Sequence, residues 1–115
     1  MILLGLGSNL NSALGNRFDN INKAIFLLTK YKIKLLKKSS YYETPSYPNP
    51  KNPKFINVVV SVDSDLDSST FSSKLMLIEE TLGRKRLKKN DPRIIDIDIL
   101  DYKNQIINFK YDGMK

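Results

Sequence analysis

Two reactive residue types are missing from this 115-residue chain: it has neither cysteine nor histidine. Without cysteine there is no disulfide scaffold and no thiolate metal site, which suits a reducing compartment, and a cytoplasmic location is expected. Without histidine there is no imidazole ligand and no imidazole acid–base catalysis, so any metal must be a hard ion held by oxygen. Long hydrophobic runs are missing too. The N-terminal "MILLGLGSNL" is briefly apolar, with no basic flank and no cleavage-like site. It therefore reads as a core strand, and neither a signal peptide nor a membrane span is expected.

What remains is ordinary globular material, 41% hydrophobic and 27% charged, of a length that suits one domain over 1–115. Charge is unbalanced: nineteen basic residues against twelve acidic give a net +7, which favours anionic partners.

Periodicity orders the chain. Residues 1–7 read as a strand ending in a tight turn at Gly5 and Gly7. A helix follows, with Leu14, Phe18, Ile21, Ile25 and Leu28 at three- and four-residue steps on one face. Residues 33–43 read as a second strand. "TPSYPNPKNPK" holds four of the five prolines and must be a loop. "FINVVVSVD" is a third strand whose near-continuous apolar run suggests burial on both faces. A second helix has N-cap candidates at Asp67, Ser68 and Ser69, a stripe of Phe71, Leu75, Ile78 and Leu82, and Gly83 as C-cap. A basic loop, "RKRLKKNDPR", then leads into a strand, and after a turn at Lys103-Asn104 comes the short apolar "QIINF". The order β-α-β-β-α-β with an extra strand predicts a ferredoxin-like α+β fold, a mostly antiparallel sheet with two helices on one face. Such a fold decides no function.

Three segments could carry chemistry. In "RIIDIDILDY" the strand period puts Asp96 and Asp98 on one face and isoleucines on the other. Aspartate is a poor strand former and like charges side by side repel. Either this is a half-exposed strand with an acidic face, or it is a Mg²⁺ site, since Mg²⁺ takes one or two carboxylates together with phosphate oxygens and water. Residues 84–93 hold Arg84, Arg86 and Arg93 among six cations, a solvated loop, a nucleic-acid patch or a grip on phosphate. No aromatic interleaves that loop, and the aspartates would repel a polynucleotide, so no nucleic-acid partner is expected. In the proline-rich segment Tyr47 and Phe55 could offer flat faces and Asn57 both a donor and an acceptor, or Phe55 could be core and Asn57 a turn residue. The "GLGSN" stretch lacks the spacing of a phosphate-binding loop, and Ser8 or Asn9 could cap the next helix.

Together and in this order, "GLGSNL", "YYETPSYPNPKNPKFINVVV", "IEETLGRKR" and "DPRIIDIDIL" resemble the 6-hydroxymethyl-7,8-dihydropterin pyrophosphokinases of folate biosynthesis. The last segment matches that family's P-R-x-x-D-[LI]-D-[LI] signature. The resemblance implies transfer of pyrophosphate from ATP to the pterin's hydroxymethyl oxygen with release of AMP. It implies that Asp96 and Asp98 hold two Mg²⁺ ions and that Arg84 and Arg93 stabilise charge on the phosphates. Glu79 and Arg86 would join them at ATP, while Thr44, Pro45, Tyr47, Phe55 and Asn57 would form the pterin site. The expected partners are these two small molecules, and the expected state is a monomer. Two departures stand out. "NDPR" replaces the family's Trp-Gly before Pro-Arg, and relative to the family the chain is expected to be short at its C-terminus, ending at "FKYDGMK" ahead of a His-Pro segment.

Overall fold

A computed structural model of the chain describes residues 2–10, 15–45, 51, 53–83 and 94–103. Along it run β1 (Ile2–Ser8), α1 (Arg17–Lys30), β2 (Lys34–Lys38), β3 (Tyr42–Thr44), β4 (Phe55–Asp63), α2 (Ser68–Thr81) and β5 (Asp96–Tyr102). The strands form one antiparallel sheet in the order β2-β4-β1-β5, with β3 also paired to β4. This is the expected ferredoxin-like arrangement; β3 is a further strand at the end of the span expected as the second one, while the expected extra strand, "QIINF", lies outside the described residues.

Alternation decides what the sheet buries. Ile2, Leu4 and Leu6 of β1, Ile56, Val58, Val60 and Val62 of β4, and Ile97, Ile99 and Tyr102 of β5 share one buried face. Ile21, Ala24 and Leu28 of α1 and Phe71, Leu75 and Ile78 of α2 join them in one core, with Leu82 just beyond α2. The α2 stripe is thus as expected. On α1, Ile25 is only partly buried, and Phe18 turns outward to meet Tyr41 edge-on at 5.2 Å between ring centroids. Phe71 and Tyr102 make a second edge-to-face pair at 5.2 Å, and the Tyr102 hydroxyl donates to the Leu66 carbonyl. Burial in this setting, with Asp67 nearby, raises the Tyr102 pKa.

Four expectations need correction. The run "FINVVVSVD" is not buried on both faces. It alternates strictly, with Ile56, Val58, Val60 and Val62 in the core and Phe55, Asn57, Val59 and Ser61 half-buried opposite. Gly5 and Gly7 are not in a turn: β1 runs through both to Ser8. The second strand is two strands, because the Ser39 hydroxyl accepts from Val59 N at 2.9 Å while Ser39 N donates to Val59 O at 2.8 Å. That local pairing replaces regular ladder between β2 and β3, and the register has already slipped at Leu36. Lastly, the cap of α1 is Asn16, in a reciprocal capping box with Asp19. Ser8 and Asn9 are buried instead. Asn20 donates to Ser8 Oγ at 3.3 Å and to the Leu10 carbonyl at 2.9 Å, and Asn9 reaches the Pro53 carbonyl at 3.1 Å. These amides clamp the end of β1 against α1 and the segment entering β4.

Of the three cap candidates for α2, Asp67 is the one used: it accepts from Thr70 N at 2.7 Å. Gly83 follows the terminal Leu82 at φ +92°, the left-handed conformation that glycine takes most cheaply at a helix end. The bonds from Thr70 lower the Asp67 pKa below its ordinary 3.8. A lowered carboxyl pKa gives stability that is whole above the unfolded value and fades as pH falls through the folded one. The thermal midpoint of Asp67→Ala should therefore trail the wild type at neutral pH, and the gap should narrow below about pH 4. A gap independent of pH would rule out the charged cap.

Candidate functional site

Helices cover one face of the sheet; the other carries the site. A depression of about 300 Å³ is lined there by Gly5 and Gly7 of β1, Tyr42 and Thr44 of β3, Phe55, Asn57 and Val59 of β4, and Asp96, Asp98 and Leu100 of β5. These ten are outward residues of their strands, and core residues Leu6 and Val58 complete the lining between them, so one face of the alternation builds the core and the other supplies most of the pocket.

Register explains how distant segments meet. Gly7 lies opposite both Asn57 and Asp96, and Gly5 lies opposite Val59 and Asp98. The two glycines are therefore a bare strip between the wall made by β4 and the acidic wall made by β5. A Cβ on Gly7 would stand 3.0 Å from Asn57 Oδ1 and 3.4 Å from Phe55 Cδ1, so the strip is part of the cavity's shape. Glycine normally weakens a strand interior. Here it provides the floor, a role that pattern alone does not distinguish from a turn.

The two walls differ in chemistry. On the β4 side Asn57 Nδ2 donates to Thr44 Oγ1 at 2.9 Å and to the Tyr42 carbonyl at 3.3 Å. A carbonyl only accepts, so the amide nitrogen must face Tyr42, which turns the acceptor Oδ1 toward Gly7. Asn57 is thus a strand residue with its acceptor presented, not a turn residue, and half-buried Phe55 lies beside it on the same wall.

On the β5 side Asp96 and Asp98 are half-buried, and Oδ1 of Asp98 is shielded from solvent. A bulge follows them, because Leu3 pairs with Asp101 and Leu4 with Ile99, leaving Leu100 over. The bulge lets Ile99 and Tyr102 both enter the core while Leu100 swings to the pocket rim. As a donor set, two carboxylates on one wall fit Mg²⁺, which keeps water and substrate oxygens in its remaining positions. Among the described residues no group of three or more acidic side chains gathers into a closed cage.

The expected site residues fall into three groups. Thr44, Phe55, Asn57, Asp96 and Asp98 come together in the depression. Pro45 is exposed just after β3, outside the lining, and Glu79 is in the interior of α2's packed face, 1% exposed, with Oε2 accepting from Ile97 N at 2.8 Å. Tyr47, Arg84, Arg86 and Arg93 lie outside the described residues. Tyr42, Gly5 and Gly7 were not foreseen. The signal for Tyr42 was its spacing of two from Thr44 on a strand, which places both on one face.

Fold and pocket together define an α+β domain with a depression on the uncovered face of its sheet, between an amide-and-aromatic wall and a carboxylate wall. The profile of the 7,8-dihydro-6-hydroxymethylpterin-pyrophosphokinase family matches residues 3–111, and the chain belongs to that family. It is 36% identical over 109 residues to the 2-amino-4-hydroxy-6-hydroxymethyldihydropteridine pyrophosphokinase of Aquifex aeolicus, an alignment covering 95% of this chain and 65% of that one. It is 38% identical over 107 residues to the folic acid synthesis protein fol1 of Pneumocystis carinii (93% of this chain, 14% of that protein). The mitochondrial folate synthesis bifunctional protein of Pisum sativum is 35% identical over 102 residues, 88% of this chain and 19% of its own. The chain thus spans less than two thirds of the length of each of these relatives.

Proposed function

We propose that this chain transfers pyrophosphate from ATP to the hydroxymethyl oxygen of 6-hydroxymethyl-7,8-dihydropterin, releasing AMP, as a step of folate biosynthesis. One observation carries the reading beyond family membership: a single depression joins Asp96 and Asp98 to Thr44, Phe55 and Asn57 across the glycine strip. A planar heterocycle fits the β4 wall. Phe55 offers it a ring face, and Asn57 Oδ1, held in place through Nδ2, accepts from an N–H on its edge. A heterocycle held there would have its substituent cross Gly7 and Gly5 toward the carboxylates, which is where a phosphoryl acceptor is needed.

Asp96 and Asp98 would hold two Mg²⁺ ions. When bound, these neutralise the triphosphate and acidify the attacking hydroxyl. The residues' own contribution is positional: adjacent bonded rows of β1 and β5 hold both carboxylates on one wall before substrate arrives, so little reorganisation remains at reaction. Arg84 and Arg93 are proposed to stabilise charge on the phosphates, with Arg86 at ATP, and Pro45 and Tyr47 beside the pterin; Glu79, 1% exposed and bonded to Ile97 N, has no surface to offer ATP.

We read the protein as a cytoplasmic monomer acting on these small molecules and not on nucleic acid. Supporting this, Lys34, Lys37 and Lys38 are exposed on β2, the sheet edge opposite the acidic strand, where lysine discourages edge-to-edge pairing. No helix among the described residues is long and apolar enough to cross a membrane.

With ATP, Mg²⁺ and the hydroxymethylpterin, the chain should release AMP and the pterin diphosphate in equal amounts, followed by chromatography of the nucleotides. ADP in place of AMP would refute the two-phosphorus transfer.

A further inference from the structure

Glu79 is the least expected side chain in the core. It is 1% exposed, on the last turn of α2, where the helix dipole disfavours a carboxylate and burial is costly without partners. Its Oε2 accepts from Ile97 N at 2.8 Å, and Ile97 stands between the two aspartates. Backbone N–H groups of a strand point alternately to its two sides. Because the Ile97 N–H is taken by Glu79, it points away from β1, while Asp96 and Asp98 pair with Gly7 and Gly5 on the β1 side. The three residues are gripped from both sides: the outer two by the sheet, the middle one by α2. The peptide that bears the Ile97 N–H starts at the Asp96 Cα, and the next one ends at the Asp98 Cα, so a shift of Ile97 would re-aim Asp96 directly and Asp98 through the following peptide.

From this arrangement we infer that Glu79 is a positioning residue for the metal site: its hydrogen bond to Ile97 N–H fixes the strand that aims Asp96 and Asp98, and it acts through that strand without touching nucleotide. The inference rests on the reading of Asp96 and Asp98 as Mg²⁺ ligands. Second partners behind metal ligands commonly tune affinity by ~10- to 100-fold. Burial supports the indirect role, because a side chain 1% exposed has no surface to give a ligand.

Two variants separate reach from charge. Glu79→Gln keeps an acceptor at the same reach and loses the charge; Glu79→Asp keeps the charge and falls one methylene short. The readout is the affinity for Mn²⁺ alone, from paramagnetic broadening of the β5 amides well below the thermal midpoint, with Asp98→Asn as reference. Glu79→Asp should weaken Mn²⁺ roughly tenfold and Glu79→Gln by no more than about twofold. Wild-type affinity in Glu79→Asp with a lowered thermal midpoint would show a structural role only and overturn the inference. So would Glu79→Gln proving weaker than Glu79→Asp, which makes the charge the active feature. If Asp98→Asn itself binds Mn²⁺ like the wild type, the metal reading fails and the Glu79 inference falls with it; a normal Asp98→Asn loss beside an unaffected Glu79→Asp defeats the inference alone. Should Glu79→Asp not fold, hydrogen exchange at the wild-type Ile97 amide decides. If this bond favours metal then metal favours the bond, so Mn²⁺ should slow exchange there, and unchanged exchange overturns the inference.

Discussion

Asp98→Asn is expected to cut AMP release by about a thousandfold while leaving the protein at least as stable as before. The substitution keeps shape and removes one negative charge. A divalent ion bound by carboxylates stabilises charge in phosphoryl transfer by several kcal/mol, and losing about 4 kcal/mol of that is roughly a thousandfold in rate. Stability should move the other way. Asp96 and Asp98 project from one wall of the same strand, and removing one charge relieves their repulsion in the metal-free protein. Loss of rate with a level or raised thermal midpoint separates a working carboxylate from one that serves the fold. Steady-state AMP release at saturating Mg²⁺, beside a melting curve without metal, measures both. Activity within about tenfold of wild type would remove Asp98 from the metal site.

The same tension between local rules and the site explains what could be read from the sequence. The α2 stripe and the division of β5 into isoleucine and aspartate faces were legible, because a buried face imposes its period on the residues directly. The run "FINVVVSVD" reads as buried on both faces because an apolar run alone does not say whether its second face is covered by helix or opens to a pocket. Gly5 and Gly7 suggest a turn because glycine is common in turns. In β1 the absence of a side chain is what the cavity requires, and that requirement comes from Asn57 and Phe55, some fifty residues away. Ser8 and Asn9 stand before a helix and so suggest a cap, whereas their partners are Asn20 and Pro53. The paired aspartates, the glycine strip and the buried Glu79 are each locally unfavourable, and all three sit in or directly behind the pocket. Conflicts between local preference and observed placement tend to gather at functional sites, and here they mark the site's outline.

The glycine strip makes this testable, because Gly7→Ala should improve the strand and damage the pocket. Alanine suits an extended backbone better than glycine, whose unfolded chain has more freedom to lose. Yet its Cβ would meet Asn57 Oδ1 at 3.0 Å and Phe55 Cδ1 at 3.4 Å. Asn57 can yield only by loosening Nδ2 from Thr44 Oγ1 and the Tyr42 carbonyl, and its acceptor would then leave the position facing the heterocycle. Misplacing one hydrogen bond in a closed site costs about 1–3 kcal/mol, and a disturbed aromatic contact adds to it. A total near 2 kcal/mol is roughly a thirtyfold rise in the pterin KM. Gly5→Ala is the matched control. The three atoms nearest its Cβ would all belong to the Leu100 side chain, at 3.5–3.7 Å, which is ordinary contact, so its KM should change by no more than a few-fold. The ATP KM should be nearly constant in Gly7→Ala, since the crowding is on the β4 side of the strip. If the two alanines shift the pterin KM equally, the floor does not shape the site. If Gly7→Ala shifts ATP and pterin alike, the two substrates do not divide the pocket between its two walls.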